Sequence, residues 1–169
     1  QCFLKAFETD NAADATHLSL VGGKYKIQEP DVPRFQEMYA QHYKSCYLVE
    51  KVKYPSYFYM DIDKADKSLL TNIIKRLKDI KLDCVVAIRN ADENGHFGMH
   101  VIASNVVHNK DDATSFCRHC VGEHGDTSVY NTGLRMVGSN KKKCIKRVYY
   151  PYYNISSNGT LTPINKVIS

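Results

Sequence analysis

The most informative stretch of the chain is Tyr57-Phe58-Tyr59-Met60-Asp61-Ile62-Asp63. Its aromatic and apolar residues predict a β-strand, in which positions i and i+2 point to the same face of a sheet. Asp61 and Asp63 would therefore stand side by side. Two carboxylates about 4 Å apart repel each other by roughly 4 kcal/mol at an effective dielectric constant near 20, and a divalent cation removes that conflict. Oxygen ligands of this kind suit Mg²⁺ or Mn²⁺. The alternative is a surface turn at Asp61, with Asp63 capping the helix that follows.

Length and composition fit one folded domain. The chain has 169 residues, of which 43% are hydrophobic and 24% charged, and no apolar run is long enough to span a membrane. It begins at Gln1 instead of Met and carries no basic-then-apolar leader, so we expect an intracellular fragment of a longer polypeptide. Six cysteines in such a chain predict reduced thiols.

The pattern along the chain predicts strands and helices, with hairpins instead of strict βαβ alternation. Helices are expected over residues 33–43, 66–81 and 111–122, and strands over 24–27, 46–50, 56–62, 83–89, 97–103, 128–130 and 134–137. The strands over 46–50 and 56–62 are expected inside a sheet. The polar turn over 90–95 predicts a hairpin between its flanking strands. The fold class is therefore α+β, with a mixed or antiparallel sheet flanked by helices.

Positive charge is concentrated near the carboxyl end. The net charge is +5, and five positive charges fall within residues 141–147, directly before the tyrosine-rich segment 149–153. Such a segment predicts single-stranded nucleic-acid binding, through phosphate contacts and stacking of bases on aromatic rings. The residues concerned beyond Lys141 are Lys142, Lys143, Lys146 and Arg147. A solvated charged surface is the alternative, and the two interpretations are open at this point.

Cys117-Arg118-His119-Cys120 has the spacing of half a zinc site, with His108, His124 or Cys144 as conceivable completing ligands. The same segment also gives an apolar helical face, in which free cysteine behaves as a small hydrophobic residue. Because only half of a tetrahedral ligand set is evident, core packing is favoured over zinc.

Three separated segments together supply the groups that phosphoryl transfer requires. They are Asp61-Ile62-Asp63, Gly98-Met99-His100 and the stretch from Asp126 to Lys141, which offer carboxylates for metals and donors for a triphosphate. In order and spacing these segments resemble the motifs of the archaeo-eukaryotic primase (AEP) superfamily. The last one resembles the primase domain of viral D5-type primase-helicases, and more distantly eukaryotic PrimPol. The resemblance covers residues 47–143, and more loosely 16–43.

The resemblance implies an AEP catalytic core with an RRM-like sheet, and a catalytic metal site. Its ligands would be Asp61, Asp63 and Asp126. Two Mg²⁺ or Mn²⁺ ions roughly 3.5–4 Å apart would activate the attacking 3′-hydroxyl and neutralise the leaving pyrophosphate.

The resemblance also implies a triphosphate site. His100, Arg135 and Lys141 would contact the phosphates of the incoming nucleotide, and Ser139 would add a hydroxyl. The second motif departs from the family pattern, because Gly98 and His96 stand where a serine and a lysine are usual. A hydroxyl and a fixed positive charge are lost, whereas the Gly98 amide can approach a phosphate closely.

The function implied is that of a DNA primase domain spanning residues 1–169, which condenses nucleoside triphosphates on single-stranded DNA during viral DNA replication. A helicase domain, through which a hexamer would form, is expected beyond Ser169, since the chain holds no GxxxxGK[ST] loop. Host cytoplasm and nucleus are both open, as are the choice of ribonucleotides or deoxynucleotides and any template sequence preference.

Two alternatives belong to other functional classes. A non-catalytic single-stranded DNA binding module would gain nothing from clustered negative charge, so the three aspartates argue against it. A metal-dependent nuclease would use the same carboxylates, but the set Arg135, Ser139 and Lys141 favours a polymerase.

Overall fold

The structure is a computed structural model that describes residues 2–141 and 147–164. The α-helices are α1 Val32–His42, α2 Lys67–Asp79, α3 Lys110–Val121 and α4 Val129–Thr132. The strands are β1 His17–Ser19, β2 Lys24–Tyr25, β3 Leu48–Glu50, β4 Ser56–Ala65, β5 Cys84–Arg89, β6 Phe97–Val107, β7 Leu134–Arg135, β8 Tyr149–Ile155 and β9 Leu161–Pro163. Short 3₁₀ turns cover Cys2–Phe7, Glu29–Asp31, Tyr43–Ser45 and Gly122–His124.

The described residues form two compact units. The first contains the chain up to Val52 and between Gly133 and Val148, and the second contains Lys53–Thr132 and the segment from Tyr149 onward. The α+β prediction is confirmed, and both sheets are antiparallel. The expectation of a single domain stays a prediction.

The first unit is a small sheet in the order β2-β1-β3-β7. Its apolar side chains form one aromatic-rich core, whose buried members are Phe3, Leu4, Phe7, Tyr25, Ile27, Phe35, Cys46 and Leu48. Ser139 connects the segment after β7 to β3 and α1. Its hydroxyl is fully buried, accepts a hydrogen bond from the Leu48 amide (3.1 Å) and lies 2.9 Å from the Tyr39 hydroxyl.

The second unit is a five-stranded sheet in the order β4-β6-β5-β8-β9, with α2 and α3 packed against β4 and β6. Both helices begin at a side-chain cap: Asp66 accepts a hydrogen bond from the Leu69 amide, and Asn109 accepts one from the Asp112 amide. The alternation in β4 turns Phe58, Met60 and Ile62, all fully buried, to one face. The other face of β4 is left for its acidic residues.

Most predicted elements are confirmed with shifted ends, including the β5–β6 hairpin. Two expectations were wrong. The strand over 56–62 lies at the edge of its sheet, because β4 pairs with β6 alone among the strands of that sheet. Residues 128–130 do not form a strand: the Asp126 carboxylate accepts hydrogen bonds from the amide and hydroxyl of Ser128, and the short helix α4 follows.

None of the helices among the described residues has both the length and the apolar character needed to cross a membrane.

Candidate metal centre

Two of the candidate metal ligands lie on the sheet face opposite α2 and α3. Asp61 on β4 is paired in register with His100 on β6, and Asp63 lies one pleat further along the same strand. Asp61 is half-buried and Asp63 is exposed. The apolar partners of these aspartates in the strand alternation, Met60 and Ile62, hold β4 against the core. The strand therefore fixes both carboxylates on one surface.

The third carboxylate reaches this surface through the backbone. The open edge of β4 forms a bridge between Ile62 and Gly125, and the Asp126 amide donates a 2.8 Å hydrogen bond to the Asp61 carbonyl oxygen. Gly125 is required by space, since a Cβ at this position would collide with the Cys117 thiol on α3. The loop can therefore lie close to the helix and bring Asp126 to the acidic pair.

The three carboxylates form one cluster. Ligand oxygens of Asp61, Asp63 and Asp126 all lie within 4.8 Å of one another. Asp61 Oδ1 is buried and, among the described residues, receives no hydrogen bond of good geometry, although His100 Nε2 lies 3.2 Å away. A buried carboxylate oxygen normally has a donor, so this atom is suited to a cation. Hard carboxylate oxygens fit Mg²⁺ or Mn²⁺.

The negative charges of the three carboxylates repel one another. Partial burial, which removes water from its carboxyl group, and then the negative charge of Asp61 raise the pKa of Asp63, although much of this residue is exposed. Arg89 and His100 act in the opposite direction, and Asp126 adds a smaller unfavourable charge. A raised carboxyl pKa means that the negative form is disfavoured, which is the condition that a bound divalent ion relieves.

His100 is enclosed beside this cluster. It is 2% exposed, and the Tyr149 ring on β8 stacks on its imidazole with ring centroids 3.5 Å apart and an interplanar angle of 15°. Tyr149 is itself 2% exposed, so it packs against the candidate site and does not present its ring to solvent as the base-stacking hypothesis for segment 149–153 would require.

Sequence reasoning missed Arg89, at the end of β5. This arginine is 4% exposed, and its Nη1 donates to the carbonyl oxygens of Asn90 and His96. The signal that could have found it is a charged residue at the end of the otherwise apolar strand Cys84–Arg89. A buried arginine is rare unless its charge is paired or hydrogen-bonded, so this position could have been considered as a candidate site residue.

The other predicted phosphate ligands belong to the first unit. Arg135 on β7 donates from Nη1 to the carbonyl oxygens of Ser139 and Arg147. Lys141 is exposed, whereas the hydroxyl of Ser139 makes the buried contacts described above. Their contact with a triphosphate stays a prediction. Of the basic segment, Arg147 is half-buried, and Lys142, Lys143 and Lys146 lie outside the described residues.

The cysteines of the half zinc site are buried in α3 as free thiols. Burial raises the pKa of Cys120 to about 11, so its thiol stays protonated at neutral pH. Within residues 2–141 and 147–164, the aspartate cluster is the one group of three or more such side chains with metal-binding spacing. The arrangement agrees with core packing for Cys117 and Cys120, and Cys144, one of the conceivable completing ligands, lies outside the described residues.

Comparison with known proteins gives one family. The family model for the C962R protein N-terminal AEP domain matches residues 16–155, a range that contains all three aspartates, His100, Arg135 and Lys141. No curated protein sequence matches the chain.

Proposed function

The chain belongs to the archaeo-eukaryotic primase superfamily, together with the N-terminal domain of the viral primase-helicase C962R, and we propose that it is a metal-dependent DNA primase domain. Its reaction would be template-directed nucleotidyl transfer, in which nucleoside triphosphates are joined on single-stranded DNA and pyrophosphate is released. A primase-type function follows from the family, and the catalytic activity is the proposal.

The observation that carries the proposal is the carboxylate cluster. Asp61, Asp63 and Asp126 come from two distant parts of the chain, and the spacing of their oxygens suits shared coordination of a divalent ion. When bound, Mg²⁺ or Mn²⁺ ions would supply activation of the attacking hydroxyl and neutralisation of phosphate charge.

The protein's own contribution is to orient these groups. β4 and the backbone bond from Asp126 fix the carboxylates, so that little reorganisation is needed when substrate arrives. His100, placed beside Asp61, is proposed to contact the triphosphate together with Arg135 and Lys141. Ser139 is proposed to add its hydroxyl to the same phosphate site, as the family resemblance implies, and that hydroxyl bonds within the first unit.

The partners proposed are a single-stranded DNA template, nucleoside triphosphates and a helicase domain on the same polypeptide, through which a hexamer would form. Lys142, Lys143, Lys146 and Arg147 are proposed to bind the template phosphates, because a run of cations attracts the nucleic-acid backbone irrespective of sequence.

A primer-synthesis assay tests this proposal. The chain is incubated with single-stranded DNA, labelled ribonucleoside or deoxyribonucleoside triphosphates, and Mg²⁺ or Mn²⁺, beside the Asp61→Ala/Asp63→Ala variant. We expect labelled primers from the wild type only, with DNA binding by the variant intact or improved because repulsion toward phosphates falls. Primer yield that survives the double substitution would refute the catalytic assignment. Shortened template without primers would indicate a nuclease, and binding alone a non-catalytic module.

A further inference from the structure

Gly98 lies two residues before His100 on β6, and side chains from two neighbouring strands fill the space above it. A Cβ at Gly98 would lie 2.5 Å from the Tyr149 hydroxyl oxygen and 2.7 Å from Arg89 Nε. The backbone of Gly98 does not have a positive φ, so its conformation would accept any residue. Any side chain at position 98 would displace the ends of Arg89 and Tyr149, so glycine is what leaves room for both in this arrangement.

The three residues form a row across the sheet. Arg89 on β5 is paired with Gly98 on one side and with Tyr149 on the other. Two backbone carbonyl oxygens hold Nη1 of Arg89, at 3.2 and 3.4 Å, and the guanidinium also hydrogen-bonds the Tyr149 hydroxyl. Both side chains are almost fully buried. The carbonyl oxygens of Asn90 and His96 in the β5–β6 turn therefore hold the Arg89 guanidinium in place, and the guanidinium in turn holds the Tyr149 ring in place.

The Tyr149 ring connects Arg89 to the candidate metal centre. It covers the imidazole of His100 in a nearly parallel stack, and His100 Nε2 lies 3.2 Å from Asp61 Oδ1. The contacts run without a gap from Arg89 to Tyr149, from Tyr149 to His100 and from His100 to the carboxylate.

We propose that Arg89 and Tyr149 are positioning residues, which close over Gly98 and hold the His100 imidazole in place beside Asp61. The role rests on the proposed function insofar as His100 and Asp61 act in nucleotidyl transfer. The glycine of the second motif leaves space for this pair. The side chains of Arg89 on β5 and Tyr149 on β8 occupy the volume that a side chain at position 98 would fill. Outer-shell partners that orient the ligands of a metal site typically contribute 10- to 100-fold to activity or metal affinity, and we expect an effect of this size here.

Proton NMR of the His100 imidazole provides a readout independent of activity. A tyrosine ring stacked at 3.5 Å shifts the imidazole protons upfield, and comparison with His100→Gln assigns these signals. Tyr149→Phe keeps the ring, so we expect the upfield shift to persist, whereas Tyr149→Leu should abolish it. Gly98→Ala should also reduce it, because the added methyl group displaces the Tyr149 hydroxyl and Arg89. Tyr57→Leu, which removes a 65% exposed tyrosine from β4, is the matched control and should leave the shift unchanged.

Primer synthesis provides the second readout. We expect kcat/KM for the nucleotide to fall by roughly 10- to 100-fold in Tyr149→Leu and Gly98→Ala, and Tyr149→Phe to retain more activity than Tyr149→Leu. Thermal unfolding identifies any variant that fails to fold. If either Tyr149→Leu or Gly98→Ala does not fold, the kinetics of the remaining variant test the positioning role.

The two proposals fail in different ways. A wild-type chain that makes no primers removes the primase assignment, and the His100 shifts of Gly98→Ala, which keeps the Tyr149 ring, still decide whether the pair holds His100. An active wild type whose Tyr149→Leu and Gly98→Ala variants keep full kcat/KM, or whose Gly98→Ala variant loses activity with unchanged His100 shifts, overturns the positioning role.

Discussion

The backbone amide of Asp126 donates a 2.8 Å hydrogen bond to the carbonyl oxygen of Asp61. Together with the bridge between Ile62 and Gly125, this bond attaches the loop before α4 to the open edge of β4. The position of the third carboxylate is thus set by main-chain atoms, and asparagine, whose side-chain oxygen can still accept the Ser128 hydrogen bonds, can replace Asp126 without releasing the loop.

Asp126→Asn tests that carboxylate with almost no change of shape. We expect weaker Mn²⁺ binding, and a fall in primer synthesis of roughly 100-fold or more, because metal ions contribute several kcal/mol of transition-state stabilisation. Mn²⁺ titration followed by electron paramagnetic resonance measures the binding. Asp111→Asn, at an exposed position in the first turn of α3, is the control that should bind Mn²⁺ as the wild type does. Equal Mn²⁺ affinity in Asp126→Asn and the wild type would exclude Asp126 as a ligand.

Arg135→Ala tests the proposed grip on the triphosphate. Loss of a guanidinium that pairs with phosphate should raise the nucleotide KM by roughly 10- to 100-fold, since hydrogen bonds to charged groups contribute about 1.5–3 kcal/mol. Steady-state primer synthesis at varied nucleotide concentration gives the KM. Arg135 also donates to the carbonyl oxygens of Ser139 and Arg147, so thermal unfolding of the variant accompanies the kinetics. A folded variant with unchanged nucleotide kinetics would remove Arg135 from the site.

The basic segment is tested by the salt dependence of single-stranded DNA binding. Replacing Lys142, Lys143 and Lys146 with glutamine should reduce the slope of log K against log salt by up to about 2, at roughly 0.7 for each phosphate contact. Fluorescence anisotropy with a labelled oligonucleotide measures the slope. The matched control replaces three exposed lysines of α2, Lys67, Lys75 and Lys78, and so removes the same charge elsewhere. Identical slopes for the two triple variants would mean that residues 142–146 contribute net charge only.

The local order of the second unit could be predicted from the sequence, but the relation between its distant parts could not. The alternation around Asp61 and the helical periodicity of α2 each express burial of one face, which is a local signal. Asp126 was associated with the acidic pair through a family resemblance, because nothing local indicates that Gly125 pairs with Ile62. The contact between Tyr149 and Arg89 was missed for the same reason, because it depends on the register of β5 with β8.

The segment after Asp126 shows how one side chain overrides a propensity. Ser128-Val129-Tyr130 has the composition of a strand, yet the Asp126 carboxylate accepts hydrogen bonds from both the amide and the hydroxyl of Ser128. This local bonding begins a helical turn, which Val129 and Tyr130 continue as buried residues. A candidate metal ligand thus also determines the conformation of the chain that follows it.

His17 gives the first unit a pH-dependent stability. The residue is 7% exposed, its Nδ1 lies 2.9 Å from Thr16 Oγ1, and its ring packs against Phe35. Burial lowers the pKa of His17 from its ordinary value of 6.5 to about 4. Between these two values the unfolded chain binds a proton that the folded chain does not, so the free energy of unfolding is unaffected above pH 6.5 and falls as the pH drops from 6.5 toward 4.

The full loss at His17 amounts to about 3 kcal/mol, from the difference between the two pKa values at 1.36 kcal/mol per unit. Urea unfolding at pH 7, 6, 5 and 4.5, followed by far-ultraviolet circular dichroism, measures it. Carboxylates titrate in the same range, so the informative quantity is the difference between the wild type and His17→Gln, which removes the titrating group and should flatten the fall. His108→Gln, at an exposed position just after β6, should follow the wild-type curve. If His17→Gln loses stability with the same pH slope as the wild type, protonation of another group causes the acid sensitivity.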